Sequence, residues 1–114
     1  MSGSAPRLTI SSDVHNVGVA RSFVTASLEV LDVAESDRDT AKLVTSELVT
    51  QLIGAASGDD VVVEIQDMPE PGFTIGSSRP LPPLPDDVVH ILGALQGIGI
   101  ESGEHAWTVT FERS

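Results

Sequence analysis

Residues 60–67 read DVVVEIQD, and this stretch decides the fold. β-Branched residues dominate it, and such residues suit the pleated surface of a strand. Side chains alternate between the two faces of a strand, so Val61, Val63 and Ile65 share one face. Glu64 lies on the other face. The alternation therefore predicts a strand with one buried and one solvated face, as in a sheet covered on a single side.

Upstream of this strand, the sequence predicts another strand and two helices. Residues 7–12 alternate polar and apolar side chains, which is the pattern of a half-buried strand. Apolar residues then recur at helical spacing from about Asn16, an expected N-cap. A capping-box-like motif at residues 36–39 opens a second helix that is expected to reach about Ala56. The apolar stripes are Ala20, Phe23, Val24, Leu28 and Leu31 in the first helix, and Val44, Leu48, Leu52 and Ala55 in the second.

Downstream, prolines and turns separate the remaining elements. Residues 68–72 contain two prolines, which end the strand because proline lacks an N–H and fixes φ, and residues 73–75 are expected to return as a hairpin partner. Four prolines within residues 79–85 predict an extended, rigid connector. A short helix over residues 88–95 and a hairpin over residues 98–112 follow. The inner face of that hairpin is expected to carry Trp107, Val109 and Phe111.

The predicted element order is β-α-α-β-β-α-β-β. Strands joined by tight turns, with the helices grouped together, predict an α+β two-layer sandwich. In this sandwich three helices cover one face of a mixed, mostly antiparallel sheet. Residues 1–6 are expected to form a flexible N-terminus and residues 7–113 a single domain, since the sequence contains neither a repeat nor a second domain.

Composition argues against several classes of function. The 114-residue chain has a net charge of −11, and its six Lys and Arg residues are scattered, which disfavours binding to nucleic acid or an anionic membrane. It has no cysteine, and His15, His90 and His105 are too dispersed to suggest a metal site. Every apolar run is shorter than the roughly 18 residues that a membrane span needs, and no signal peptide is apparent. We therefore expect a cytoplasmic protein.

Three polar residues border the predicted core. Glu47 and Gln51 are four residues apart and therefore share a face of the second helix, beside its apolar stripe. Asp67 follows the central strand on the side that the helices cover, so we expect it to be at least partly buried and Gln66 to face outward. In the alternative interpretation, Glu47 and Gln51 are solvated helix residues and Asp67 merely begins a turn.

Several stretches of the sequence resemble the histidine-kinase-like (GHKL) ATPase domain. The most specific is SELVT at residues 46–50, which is similar to the opening of that family's N box. The resemblance is strongest to the anti-sigma-factor serine kinase branch, which takes part in partner switching. It covers roughly residues 8–112, and the other matching stretches are residues 20–24, 41–45, 61–67 and 91–95 with the closing strand pair. The resemblance also implies a helices-over-sheet ATPase fold.

The resemblance assigns roles to the three candidate residues. Glu47 matches the glutamate that acts as base in the N box, and Gln51 stands where the family has an asparagine that binds Mg²⁺. The extra methylene of glutamine displaces its carboxamide oxygen, whereas Mg²⁺ demands near-ideal octahedral geometry. Asp67 matches the aspartate that reads the adenine amino group, although prolines follow it where the family has glycines.

The family's third motif, Gly-x-Gly-Leu at the start of the last helix, is replaced here. Alignment on residues 91–95 places Asp86, Asp87, Val88 and Val89 at this motif. Two carboxylates would repel the phosphates that a helix N-terminus otherwise binds through its N–H groups. The short proline-rich connector also replaces the family's longer nucleotide lid. These departures predict that the protein has no metal site and no cofactor.

We therefore expect a degenerate histidine-kinase-like ATPase domain that acts as a protein-interaction module in anti-sigma or partner-switching regulation, without ATP turnover. By resemblance, its partner would be a sigma factor or a small antagonist domain, and a homodimer is a further expectation. The alternative is an active anti-sigma factor serine/threonine kinase that uses Mg-ATP, with Glu47 as base, Gln51 at the metal and Asp67 on adenine. A third alternative is a purely structural or dimerisation domain.

Overall fold

The computed structural model describes residues 6–55, 60–67, 70–94 and 98–111, and only the backbone of Ala55. The predicted α+β class and element order are confirmed. The elements are β1 (Arg7–Ile10), a 3₁₀ turn (Val14–Asn16), α1 (Val17–Val30), α2 (Glu35–Ala55), β2 (Val61–Gln66), β3 (Gly72–Ser77), α3 (Asp86–Gly93), β4 (Ile98–Ser102) and β5 (Ala106–Phe111). The proline-rich connector before α3 contains no helix or strand, as predicted.

Some predicted boundaries fall on residues that the structure does not describe. These are residues 1–5 of the expected N-terminus, residues 68–69 of the hairpin loop, and the expected ends at Ala56, Leu95 and Glu112. Pro6, which was assigned to the flexible N-terminus, is described. Its carbonyl oxygen accepts a hydrogen bond of 2.9 Å from the backbone N–H of Ile65, so Pro6 is tied to the sheet.

The five strands form one sheet in the order β1-β2-β3-β5-β4. Two helices connect β1 to β2. They bring the chain back to the end of the sheet where β1 finishes, so β2 runs antiparallel to β1. One helix connects β3 to β4, and these strands run in the same direction, but β5 lies between them and pairs antiparallel with both. Every hydrogen-bonded pair of neighbouring strands among the described residues is therefore antiparallel, which corrects the expectation of a mixed sheet.

One face of this sheet packs under the helices and forms the core. The alternating apolar residues of β2 are buried, as predicted. Trp107, Val109 and Phe111 of β5 are also buried, and the rings of Phe73 and Phe111 lie with their centroids 6.2 Å apart. The helices contribute Ala20, Val24, Leu28, Val44, Leu48, Leu52, Val88 and Leu92 to the core.

The start of α1 differs from the sequence prediction. Asn16 occupies the N-cap position but its side chain makes no capping hydrogen bond, and its Nδ2 donates to the carbonyl oxygen of Ser11 at 3.1 Å. Asp13 instead caps the preceding 3₁₀ turn by accepting a hydrogen bond of 2.9 Å from the N–H of His15. The side chain that caps this helical segment is therefore that of Asp13, three residues before the expected cap.

The turn between α1 and α2 is short and tight. Asp32 adopts a φ of 60°, the left-handed conformation that ends many helices, and the N–H of Val33 donates to the carbonyl oxygen of Leu28 at 3.0 Å. This turn reverses the chain, and α2 begins three residues later at Glu35. Ser36, the expected cap, consequently lies inside the first turn, and the predicted capping box is wrong.

Candidate functional site

Glu47 and Gln51 lie on one face of α2, in the half of the helix that leads to β2. Both side chains are half-buried. Each precedes a fully buried leucine, Leu48 or Leu52, that packs into the core. The pair therefore borders the core, as its spacing predicted, and is not a fully solvated helix face.

Asp67 follows the last residue of β2 and is exposed, whereas partial burial was expected. The strand ends at Gln66, so no neighbouring strand covers the residue after it. Asp67 still lies beside the helices, because it contributes to an apolar cavity of about 170 Å³ near the end of α1. The other lining residues are Pro6, Ser27, Val30, Leu31, Ile65 and Gln66.

Gln66 keeps the strand alternation that places it away from the core. It pairs in register with Gly72, and its side chain is half-buried. The Nε2 of Gln66 donates a hydrogen bond of 3.0 Å to the carbonyl oxygen of Glu70. The side-chain amide therefore links the last residue of β2 to the backbone two residues before β3.

Asp67 and Gln51 lie at opposite ends of the helix-covered face. The end of α1 lines the cavity beside Asp67, and α2 begins only four residues after Leu31. Gln51 lies in the last turns of α2, from which the chain enters β2 at Val61. Asp67 lies six residue steps along the strand direction from Val61, a path of about 20 Å at roughly 3.3 Å per residue. Within the described part of the chain, Gln51 does not line the cavity beside Asp67, and neither residue lines the three concave surfaces described below.

Asp86 and Asp87 form the first turn of α3, beside the edge strand β4. Both carboxylates are exposed, as expected for residues that complement the helix dipole. Pro85, at the N-cap position, makes no capping hydrogen bond through its side chain. Phosphate approaching this helix end would meet two negative charges, so the N-terminus of α3 is poorly suited to hold it.

The described residues contain no cluster of three or more His, Asp or Glu side chains that could hold a metal ion. In the same part of the chain, no helix is long and apolar enough to cross a membrane. Among the described titratable groups, Asp13 has a lowered pKa, because the backbone N–H and then the ring of His15 donate to its carboxylate. The Nδ1 of His15 lies 2.8 Å from the Oδ1 of Asp13. This exposed pair supports the turn before α1.

An apolar groove between α3 and β4 is the surface that the sequence reasoning missed. It has a volume of about 340 Å³. Val89 on its α3 wall is 52 % exposed, and the neighbouring Ile91 is 42 % exposed. A signal was present in the sequence, since α3 has more apolar residues than one face of an eight-residue helix can bury. The groove is lined by Leu84, Val89, Leu92, Gly93, Ile98, Ile100 and Ser102.

Two further concave surfaces include charged side chains. One lies on the open face of the sheet, has a volume of about 300 Å³, and includes Arg7, Glu64 and His105. The other lies between α1 and α2, where Arg38 Nη1 donates to Glu29 Oε2 at 2.9 Å. Neither surface contains Glu47, Gln51 or Asp67.

No protein-family model matches this chain, and no curated protein sequence is significantly similar to it. The interpretation as a histidine-kinase-like ATPase domain therefore rests on the residue-by-residue resemblance alone.

Proposed function

We propose that this chain is a degenerate histidine-kinase-like ATPase domain that acts in the cytoplasm as a protein-interaction module of anti-sigma or partner-switching regulation. It neither binds Mg-ATP nor turns it over. Its partner would be a sigma factor or a small antagonist domain, as the resemblance implies.

The separation of the three candidate groups carries this proposal. Glu47 and Gln51 border the core near the end of α2, Asp67 is exposed at the opposite end of β2, and carboxylates occupy the first turn of α3. A nucleotide site needs its base-reading, metal-binding and phosphate-binding groups around a single ligand. The scaffold is well packed, whereas the groups for nucleotide chemistry are dispersed or altered.

Thermal unfolding in millimolar Mg-ATP and Mg-ADP tests the absence of nucleotide binding. We expect no change in the melting temperature with either nucleotide. A ligand that binds only the folded state at a hundred times its Kd would stabilise the protein by about 2.7 kcal/mol, which is easily measured. A magnesium-dependent rise in melting temperature would overturn the proposal and favour the kinase alternative.

Gln51→Asn provides a matched variant for the same measurement. It restores the metal ligand that the family uses and leaves Asp86 and Asp87 in place. We expect the variant to remain unaffected by Mg-ATP. ATP hydrolysis by this single variant would show that the phosphate position has been assigned to the wrong residues.

Binding to a protein partner is tested with sigma factors and small antagonist domains encoded by the same genome. Purified proteins are compared by calorimetry at low and high salt, since a charge of −11 favours a basic surface whose association is faster at low salt. Sedimentation velocity on the chain alone tests the expected homodimer. If none of these proteins binds at either salt concentration, the structural-domain alternative is favoured.

A further inference from the structure

The groove between α3 and β4 lies at an open edge of the sheet. β4 is the terminal strand, and among the described strands it pairs with β5 alone. No backbone hydrogen bond from another described residue reaches its other edge, and unpaired N–H and C=O groups along a strand are the usual template for an added strand. Ile98 and Ile100 of β4 point to the helix-covered face and line the groove.

α3 is anchored in the core, but its side chains do not fill the groove. Val88 and Leu92 anchor the helix in the core. Val89 is half exposed at the groove, and Gly93 adds no side chain there. A Cβ placed on Gly93 would have no atom within 4 Å, so space remains above β4 at this point. An incoming apolar side chain would find apolar walls on both sides.

Charge around the groove is of one sign. The sequence contains no Lys or Arg between Arg79 and Arg113. Asp86 and Asp87 are exposed in the first turn of α3, Glu104 is exposed in the turn after β4, and Glu101 is exposed on the face of β4 opposite the groove. A second copy of this acidic chain would add like charges here, whereas a basic segment would neutralise them.

We propose that the groove between α3 and β4 binds an extended basic segment of a partner protein, which adds an antiparallel or parallel strand to β4. Alternate apolar side chains of the segment enter the groove beside Ile98 and Ile100, and the Lys or Arg residues between them lie on the side of Glu101. Backbone pairing supplies affinity and the groove supplies specificity. The inference deepens the proposed interaction function and depends on it only for its biological role.

A fluorescent peptide of alternating Lys and Val, about six residues long like a typical strand, is the probe. Fluorescence anisotropy with the full chain should show saturable binding that weakens as salt rises. The matched control peptide has Glu in place of every Lys and should not bind. Equal binding of the two peptides would overturn the predicted charge complementarity.

Strand addition is tested with two N-methylated forms of the same peptide. In one form the odd residues are methylated, and in the other the even residues. A strand that pairs along one edge loses its donors in only one form, so one peptide should retain binding and the other should lose it. If both forms bind like the parent peptide, the segment does not pair with β4 and the proposal is wrong.

Two variants locate the binding. Gly93→Leu fills the groove and should weaken peptide binding at least about tenfold, the equivalent of about 1.4 kcal/mol. Gly54→Leu is the control, since Gly54 is also helical with no atom within 4 Å of an added Cβ but lies in α2. Val89→Lys, at an exposed position of the groove wall, repeats the test if Gly93→Leu folds poorly, because its charge would repel the basic peptide. Unchanged affinity in the folded groove variants would overturn the site.

The peptide experiments test the groove separately from the proposed function, so one can be wrong while the other stands. Loss of the groove result with continued absence of ATP binding would remove this site and leave an interaction module with another surface. A magnesium-dependent ATP effect together with peptide binding would retain the groove and remove the degenerate-ATPase interpretation.

Discussion

The layer formed by α1 and α2 and the corner formed by α3 and β4 bury their apolar residues to different extents. The first two helices have 14 and 21 residues and lie antiparallel across the strands in the middle and at one edge of the sheet. α3 has eight residues and leaves Val89 and Ile91 exposed beside the edge strand. An eight-residue helix extends about 12 Å at about 1.5 Å per residue, which is less than the length of about 17 Å of the five-residue strand β4. The difference predicts that a core truncation in the α1–α2 layer destabilises the protein more than a truncation at the corner, where apolar side chains remain exposed.

The largest expected effect is a cavity in the α1–α2 layer. Leu48→Ala removes a fully buried side chain and should lower the free energy of unfolding by about 2–5 kcal/mol. Val89→Ala, at the half-exposed corner, should change it by no more than about 0.5 kcal/mol. Urea denaturation of both variants measures the difference. Similar losses at the two positions would contradict the division into a stable layer and an open corner.

The next effect compares two glycines, one in the sheet and one in the corner. A Cβ on Gly76 would overlap the carbonyl oxygen of His105 and lie 2.7 Å from the Cβ of Ala106. Gly76→Ala should therefore destabilise the protein by about 1–3 kcal/mol, because β3 and β5 must separate. Gly93→Ala meets no atom and should be neutral or slightly stabilising. Thermal unfolding distinguishes these outcomes, and a neutral Gly76→Ala would show that the strands yield easily.

A smaller effect, a gain in stability, is expected when a buried hydroxyl in the α1–α2 layer is removed. Thr45 is fully buried, and its Oγ1 has no hydrogen-bond partner in the described part of the chain. Thr45→Val keeps the branched shape and removes the cost of desolvating the hydroxyl, so stability should rise by about 1 kcal/mol. Thr45→Ser, which retains the hydroxyl and loses the methyl, is the control and should be destabilising. Loss of stability in the valine variant would indicate that the hydroxyl has a partner.

The smallest effect concerns the entry to α1. The folded state lowers the pKa of Asp13, so its contribution to stability is present above the usual aspartate pKa of about 4 and is lost as the pH falls through the lower folded value. Asp13→Asn should slightly lower stability near neutral pH, where the carboxylate contributes, and its difference from the wild type should shrink as the pH falls below about 4. Denaturation midpoints from about pH 5 downward provide the measurement. A wild-type and variant difference that does not vary with pH would contradict the role of the carboxylate.

Local patterns predicted much of the fold because they reflect contacts of neighbouring residues. The alternation in β2 placed Val61, Val63 and Ile65 on the core face, and Trp107 proved to be a core residue. Errors arose where a nearby backbone group offered a better arrangement. The left-handed turn at Asp32 let α2 start before the expected cap Ser36.

The sequence by itself determined the elements, their order and the apolar face of each, since strand and helix periodicity depend only on side-chain spacing. It also identified Glu47 and Gln51 as neighbours on one helix face. Only the tertiary structure decided that β5 separates β3 from β4, because that pairing joins residues distant in the chain. The same long-range arrangement left Asp67 exposed at the end of β2 and opened the groove between α3 and β4, since both depend on which elements cover a strand's end or edge.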